Sequence, residues 1–105
     1  MYVIYQGEGL LIPAVVTGSK SLISGLTAVI KSSKRGEVPL ESDPVLLSFV
    51  VSDYTSTEVT NGYLFTLANT NTLVPGIYYV NFEYIVNAIT FKGIPKKITV
   101  KESVI

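Results

Sequence analysis

The sequence predicts an all-β domain, a sandwich or barrel of about seven or eight short strands. Three observations predict it. Turn signals recur at "QGEG" (6–9), "TGSK" (17–20), "KRGE" (34–37), "ESDP" (41–44), "TNG" (60–62), "NTNTLVPG" (69–76) and "KGIP" (92–95). Between them lie short runs rich in Val, Ile, Tyr, Phe and Thr, several alternating at period two. No window sustains a capped 3.6-residue apolar period, apart from a possible helical turn at Ser19–Ser24.

Strands are expected over 2–5, 9–16, 26–32, 46–52, 62–68, 77–86, 89–92 and 96–101. In "GLTAVIKSS", Leu26, Ala28 and Ile30 share one face, and Thr27, Val29 and Lys31 the other. In "GYLFTLA", Tyr63, Phe65 and Leu67 share a face. "LVPGIYYVNFEY" is the clearest stretch: after Pro75-Gly76, the residues Tyr78, Val80, Phe82, Tyr84 and Val86 line the core face. Ile77, Tyr79, Asn81, Glu83 and Ile85 face outward.

If Asn87-Ala88 forms a two-residue turn, Val86 faces Ile89 and Tyr84 faces Phe91, with Phe82 over Gly93. Ala88 is a poor residue for positive φ, which argues for a longer turn. Continuing that register would send Lys97 and Thr99 inward. A one-residue bulge at Gly93-Ile94-Pro95 would instead restore Ile98 and Val100 to the core.

The 105 residues fit a single domain, 1–105, long enough for one real core. Eight Lys+Arg balance eight Asp+Glu, which argues against nucleic-acid or anionic-membrane partners, since such binders carry a basic excess. Charged residues make up only 15% and hydrophobic ones 48%, so part of the surface is expected to meet another protein. The alternative is that Ser, Thr and Asn solvate it. The opening "MYVIYQGEGLLIPAVV" lacks a basic n-region and a cleavage site, and its apolar run Leu10–Val16 is too short to span a bilayer. The expectation is a soluble protein, made in the cytoplasm, which leaves by lysis or unaided assembly if it acts outside a cell.

Histidine and cysteine are absent, which removes triads, thiol chemistry, disulfides and ordinary zinc sites. Neither a catalytic residue, a metal nor a cofactor is expected. Among the carboxylates only Glu83 is expected mid-strand, read as an outward strand charge. "ESDP" and "NTNT" are turn chemistry rather than calcium loops, and "GEG" (7–9) precedes no helix that would make it a phosphate loop. Lys92, Lys96, Lys97 and Lys101 are read as guards of an edge strand. Tyr54, in an expected loop, and Tyr79, on an outer face, are the tyrosines freest to meet a partner.

Three stretches together resemble a known family. "YQGEGLLIPAVVTG" resembles an opening β-hairpin. "SLISGLTAVIKSSKRGE" resembles a Leu-Thr-Gly-Ala-x-Val-x-Phe-x-Ile-Arg pattern, through Leu22, Gly25, Leu26, Ala28, Ile30 and Lys31. "LVPGIYYVNFEYIVNAITFKGIPKKITVKESV" resembles Leu-x-x-Gly-x-Tyr-x-x-Asp-x-Glu, a turn and a final Gly-x-Ile-x-Val strand. These are marks of the immunoglobulin-like β-sandwich domains of tailed-phage virion proteins, as at the N-terminus of baseplate upper proteins. Asn81 stands where that family often has Asp, and Leu26 splits the small Gly-Ala pair.

The resemblance implies an immunoglobulin-like β-sandwich of about seven to eight antiparallel strands, with Tyr78 or Tyr79 hydrogen-bonding back across the Pro75-Gly76 corner. It implies a non-enzymatic structural virion protein. Because the chain begins with Met and holds no second module, a free-standing one is expected. Capsid decoration comes first, with a neck, tail or fibre-attachment adaptor as the alternative. A carbohydrate-binding surface module is the rival from another class. The expected partners are other virion proteins and sister copies, as a homo-oligomer or lattice-bound array. The expected contacts are the first strand, Tyr2, Val3, Ile4 and Tyr5, together with Tyr54, Tyr79 and Ile85.

Overall fold

The computed structural model describes residues 2–15, 23–33, 37–54 and 62–103. The expected turn at 17–20, and parts of those at 34–37 and 60–62 and of the helical turn at 19–24, fall outside them. The described residues form strands and connections, with no helix: β1 (Tyr2–Tyr5), β2 (Leu10–Val15), β3 (Ile23–Ser32), β4 (Leu47–Ser48), β5 (Val50–Tyr54), β6 (Gly62–Leu67), β7 (Gly76–Val86), β8 (Ile89–Lys92) and β9 (Lys96–Lys101). They make two packed sheets. The larger runs β1-β9-β7-β3-β4, with β8 also on β7, and the smaller runs β2-β6-β5. β3, β7 and β9 therefore share one sheet and β2, β5 and β6 the other, as strands C, F, G and B, D, E do in an immunoglobulin-type sandwich.

Alternation builds the core. Ile30, Val80, Ile98 and Val100 of the larger sheet and Leu10, Ile12, Phe65 and Leu67 of the smaller face each other and are buried. Phe65 meets Phe82 edge-on across the sandwich, ring centroids 5.3 Å apart. The core face of β7 is as expected at Tyr78 and Val80, but Phe82, Tyr84 and Val86 are only half-buried toward the β8 turn.

The hairpin is the two-residue kind. Asn87 (φ 50°) and Ala88 (φ 64°) both take left-handed backbone, as a type I′ turn demands, and Val86 pairs with Ile89 and Tyr84 with Phe91. The twist advantage of that turn outweighs the strain on Ala88. The tyrosine and phenylalanine rings stack 5.4 Å apart. The bulge is present too. Glu83 pairs with Lys92 and Val80 with Lys96, so Asn81 and Phe82 oppose Gly93, Ile94 and Pro95. A Cβ on Gly93 would sit 3.1 Å from the Phe82 Cβ, so glycine is what lets the aromatic side chain lie over the bare backbone. Beyond the bulge, Ile98 and Val100 are 1% and 2% exposed.

Three expectations are corrected. Residues 46–52 are not one strand: Leu47 and Ser48 pair with β3, the buried Phe49 donates its N–H to the Ala28 carbonyl, and from Val50 the chain pairs with β6 in the other sheet. "QGEG" does not close a hairpin, because β1 pairs with β9 while β2 pairs with β6. The turn carries the chain between sheets, where a Cβ on Gly9 would lie 2.7 Å from the Leu67 and Ala68 carbonyl oxygens. Lastly, not every pair is antiparallel. β1 runs parallel to β9 and covers its residues 98–101, so Lys101 guards no open edge, whereas Lys96 and Lys97 precede the covered stretch and Lys92 lies on β8, which among the described strands pairs only with β7.

Candidate functional site

Three surfaces could meet a partner, and each follows from what the strands do with their outward residues. On the larger sheet, register aligns Val3, Thr99 and Ile77 in one row and Lys97, Tyr79 and Lys31 in the next, with Tyr5 beside Lys101. Val3, Tyr5 and Ile77 are exposed and Tyr79 half-buried, giving a mixed apolar and cationic patch. Of the contacts expected from sequence, this patch gathers Val3, Tyr5 and Tyr79. The same two-residue period turns Tyr2 and Ile4 inward: Ile4 is a buried core residue, and Tyr2, half-buried, packs against the core. Ile85 lies at the far end of β7, its Cδ1 3.2 Å from where a Gly25 Cβ would stand.

The edge of this sheet is partly closed. The Gln6 N–H donates to the Lys101 carbonyl, so the alternate residues Val3 and Tyr5 turn their main-chain groups away from β9. There the Tyr5 N–H donates to Glu8 Oε1 at 2.7 Å, and the Tyr5 carbonyl accepts the Glu8 N–H. Glu8 thus caps the end of the edge strand against pairing with another chain.

The second surface is a cleft of about 380 Å³ over the middle of the same outer face. The segment 37–45 forms its roof, with Val38, Pro39 and Val45 over Val29 and Asn81. Lys31 holds this segment down. Its ammonium donates to the Leu40 (3.2 Å) and Glu41 (2.9 Å) carbonyls, which explains how a lysine on an outer face is only 6% exposed. Asp43 Oδ2 caps the turn by accepting the Leu40 N–H, the role expected of "ESDP". At the mouth, Lys92 pairs with Glu41 at 2.7 Å and with Glu83 at 3.8 Å. The hydrogen bond and charge of Lys92 lower the Glu41 pKa, and Glu41 in turn raises that of Lys92. Asn81 Oδ1 is buried beside them without a hydrogen-bond partner. Glu83 is therefore the outward strand charge expected, with a lysine partner.

The third surface is the outer face of the smaller sheet. Its nine outward positions form three rows: Leu11–Thr66–Val50, Pro13–Leu64–Ser52 and Val15–Gly62–Tyr54. None is charged. Leu11, Val15 and Val50 are left 62%, 69% and 68% exposed. Single exposed apolar residues are ordinary, and here three of them share one uncharged face. Pro13, lacking an N–H, is tolerated because β2 is an edge strand. Tyr54, expected in a loop, closes β5 at the corner of this face. The other residues were missed from sequence, yet a signal was there. "LLIPAVV" is apolar at every position, and a strand covered on one face needs only alternate apolar residues.

Comparison of the chain with protein-family models returned no match, and comparison with curated proteins returned none either.

Proposed function

We propose that this chain is a non-enzymatic adhesion domain, a structural virion component of a tailed phage that works by docking one face on a neighbouring protein. The observation that carries the docking reading is the uncharged outer face of β2, β6 and β5, with Leu11, Val15 and Val50 in solvent. Covering that face stabilises the complex by about 25 cal/mol per Å² of apolar area, before the entropic costs of association. The phage setting rests on the resemblance of the three sequence stretches, and the two-sheet sandwich is compatible with it. Decoration of the capsid is the first place proposed, and a neck, tail or fibre-attachment adaptor the second. On a symmetric particle, many weak copies would act together through high effective concentration.

Quantitative mass spectrometry of purified particles tests this. A copy number near that of the major capsid protein supports decoration, and a few copies per particle support the neck, tail or fibre base. Absence from particles sinks the virion reading and brings forward a carbohydrate-binding surface module, tested by retention on immobilised polysaccharide.

A further inference from the structure

The cleft on the outer face of the larger sheet holds a group that the fold itself does not use. Asn81 stands on β7 opposite Val29 of β3, and on the other side of β7 the bulge at Gly93-Ile94-Pro95 interrupts the ladder beside it. Its Oδ1 is buried and accepts no hydrogen bond from the described residues. Such an atom costs stability, because it gives up water and receives nothing in exchange. Bulges recur next to binding sites, where they re-aim a side chain.

The surroundings restrict what can reach that acceptor. The ligand has to donate, since the unused atom is a carbonyl oxygen. It has to be neutral as well. Lys31 and Lys92 line the cleft together with Glu41 and Glu83, so the charges cancel and an ion seated among them would lose water without a net charge to answer it. It needs an apolar side, because Val29 forms the floor and Val38 and Val45 the roof. At about 380 Å³ the cleft lies near the small end of the roughly 300–1,000 Å³ usual for small-molecule sites. A sugar ring meets every condition: its hydroxyls donate, it carries no charge, and its C–H groups form an apolar face. We propose that this cleft binds a short neutral saccharide, with one hydroxyl donating to Asn81 Oδ1 and the C–H face of its ring on Val29. Lys92 and Glu41, paired at 2.7 Å at the mouth, offer a donor and acceptors to the remaining hydroxyls. Lys31 fixes the roof through the Leu40 and Glu41 carbonyls, so its part is to position. A peptide amide also donates without charge, but main-chain recognition uses a strand edge, and this cleft lies on a sheet face. The inference goes beyond the docking reading and is independent of it, because the docking face belongs to the other sheet.

Titration of the full chain with maltose, cellobiose, lactose and diacetylchitobiose, followed by amide NMR, tests the proposal. The expected result is saturable shifts at millimolar sugar, centred on Val29, Asn81 and Glu83, with at least one of the four. Asn81→Leu and Asn81→Ala each remove the acceptor and weaken binding about tenfold, the loss of one hydrogen bond. Urea unfolding finds Asn81→Leu no less stable than the unaltered chain, since it deletes a polar atom that has no partner. Leu11→Lys, on the docking face, leaves the titration unchanged, so the two readings fail separately. The proposal is overturned if none of the four sugars gives saturable shifts, if the shifts centre away from the cleft, or if both Asn81 variants bind as tightly as the unaltered chain. Saturable shifts at these residues with N-methylacetamide and with no sugar overturn it in favour of a peptide amide.

Discussion

Tyr78 shows how one side chain can fasten a corner. It lies two residues past Gly76, where the chain enters the larger sheet, and its ring is buried while its hydroxyl donates to the Val74 carbonyl at 2.5 Å. This is the bond back across the corner that the sequence led us to expect of Tyr78 or Tyr79. Tyr78→Phe keeps the ring and removes the bond, and should cost about 1 kcal/mol in urea unfolding. Burial also raises the Tyr78 pKa above its ordinary value of 10.0. The unfolded chain ionises first as pH rises, so this contribution is complete below about pH 10 and lost as pH climbs through the higher folded value. Tyr78→Phe should therefore flatten the alkaline limb of the stability profile. Glu41 has the opposite sign. Lys92 holds its carboxyl below the ordinary 4.5, so its contribution is present above that value and fades as pH falls through the folded one. Both groups are exposed, so salt screens the pair. NMR titration should find the Glu41 carboxyl low, and shifted back toward its ordinary value in Lys92→Ala or at high salt.

Among the elements, the β7–β8 hairpin best separates local from global causes. Its two-residue turn forces left-handed backbone on Ala88, which costs about 1–2 kcal/mol for an L-residue with a Cβ. Pairing along β7, the Tyr84–Phe91 stack and Phe82 over Gly93 hold the turn at that length. Ala88→Gly removes the strain at some cost in unfolded-chain entropy, so a net gain of roughly 0.5–1 kcal/mol is expected in thermal or urea unfolding. A loss would mean the turn is not held as described. Phe49 shows the reverse case. Leu46 through Val51 is continuous strand-forming sequence, and only the burial of the Phe49 ring between the sheets breaks it into β4 and β5.

At the scale of the molecule, two sheet-to-sheet crossovers are tied together at one end. Thr70, fully buried in the β6–β7 connection, accepts the Gly7 N–H at 3.0 Å and donates to the Glu8 carbonyl at 2.9 Å. The Gln6 side chain donates to the Leu73 carbonyl in the same place. Thr70→Val keeps the shape but strands both groups, and should cost about 1–3 kcal/mol, whereas Thr70→Ser should restore most of it. The tie also explains why β1 cannot simply be deleted to test docking. Ile4 and Tyr2 belong to the core and β1 covers β9, so removing residues 1–5 would damage the fold before it reported on a surface. Substitution of the outward Val3 or Tyr5 is the cleaner probe of the first-strand contact expected from sequence, and Leu11 or Val50 that of the face proposed to dock.

Local pattern alone placed the strands from β6 onward and the inward Tyr78 and Val80 of β7, because these depend on period-two alternation and on turn residues a few positions apart. It offered the two-residue hairpin and the bulge as one register, and the structure decided for the short turn despite the poor fit of Ala88. It also marked Glu83 as an outward charge and Tyr79 as an outward tyrosine. Only the tertiary structure decided which strands share a sheet. The parallel docking of β1 on β9 joins residues nearly the whole chain apart, and it placed Lys101, read as an edge guard, on a strand that lies between two others. The switch of sheets at Phe49 likewise depends on a core that no local window contains. The uncharged face of β2, β6 and β5 lies between these cases. Its residues were visible as an unbroken apolar run, but that one side would lack a cover was settled by packing, since a sandwich has two inner faces and every other face must meet water or another protein.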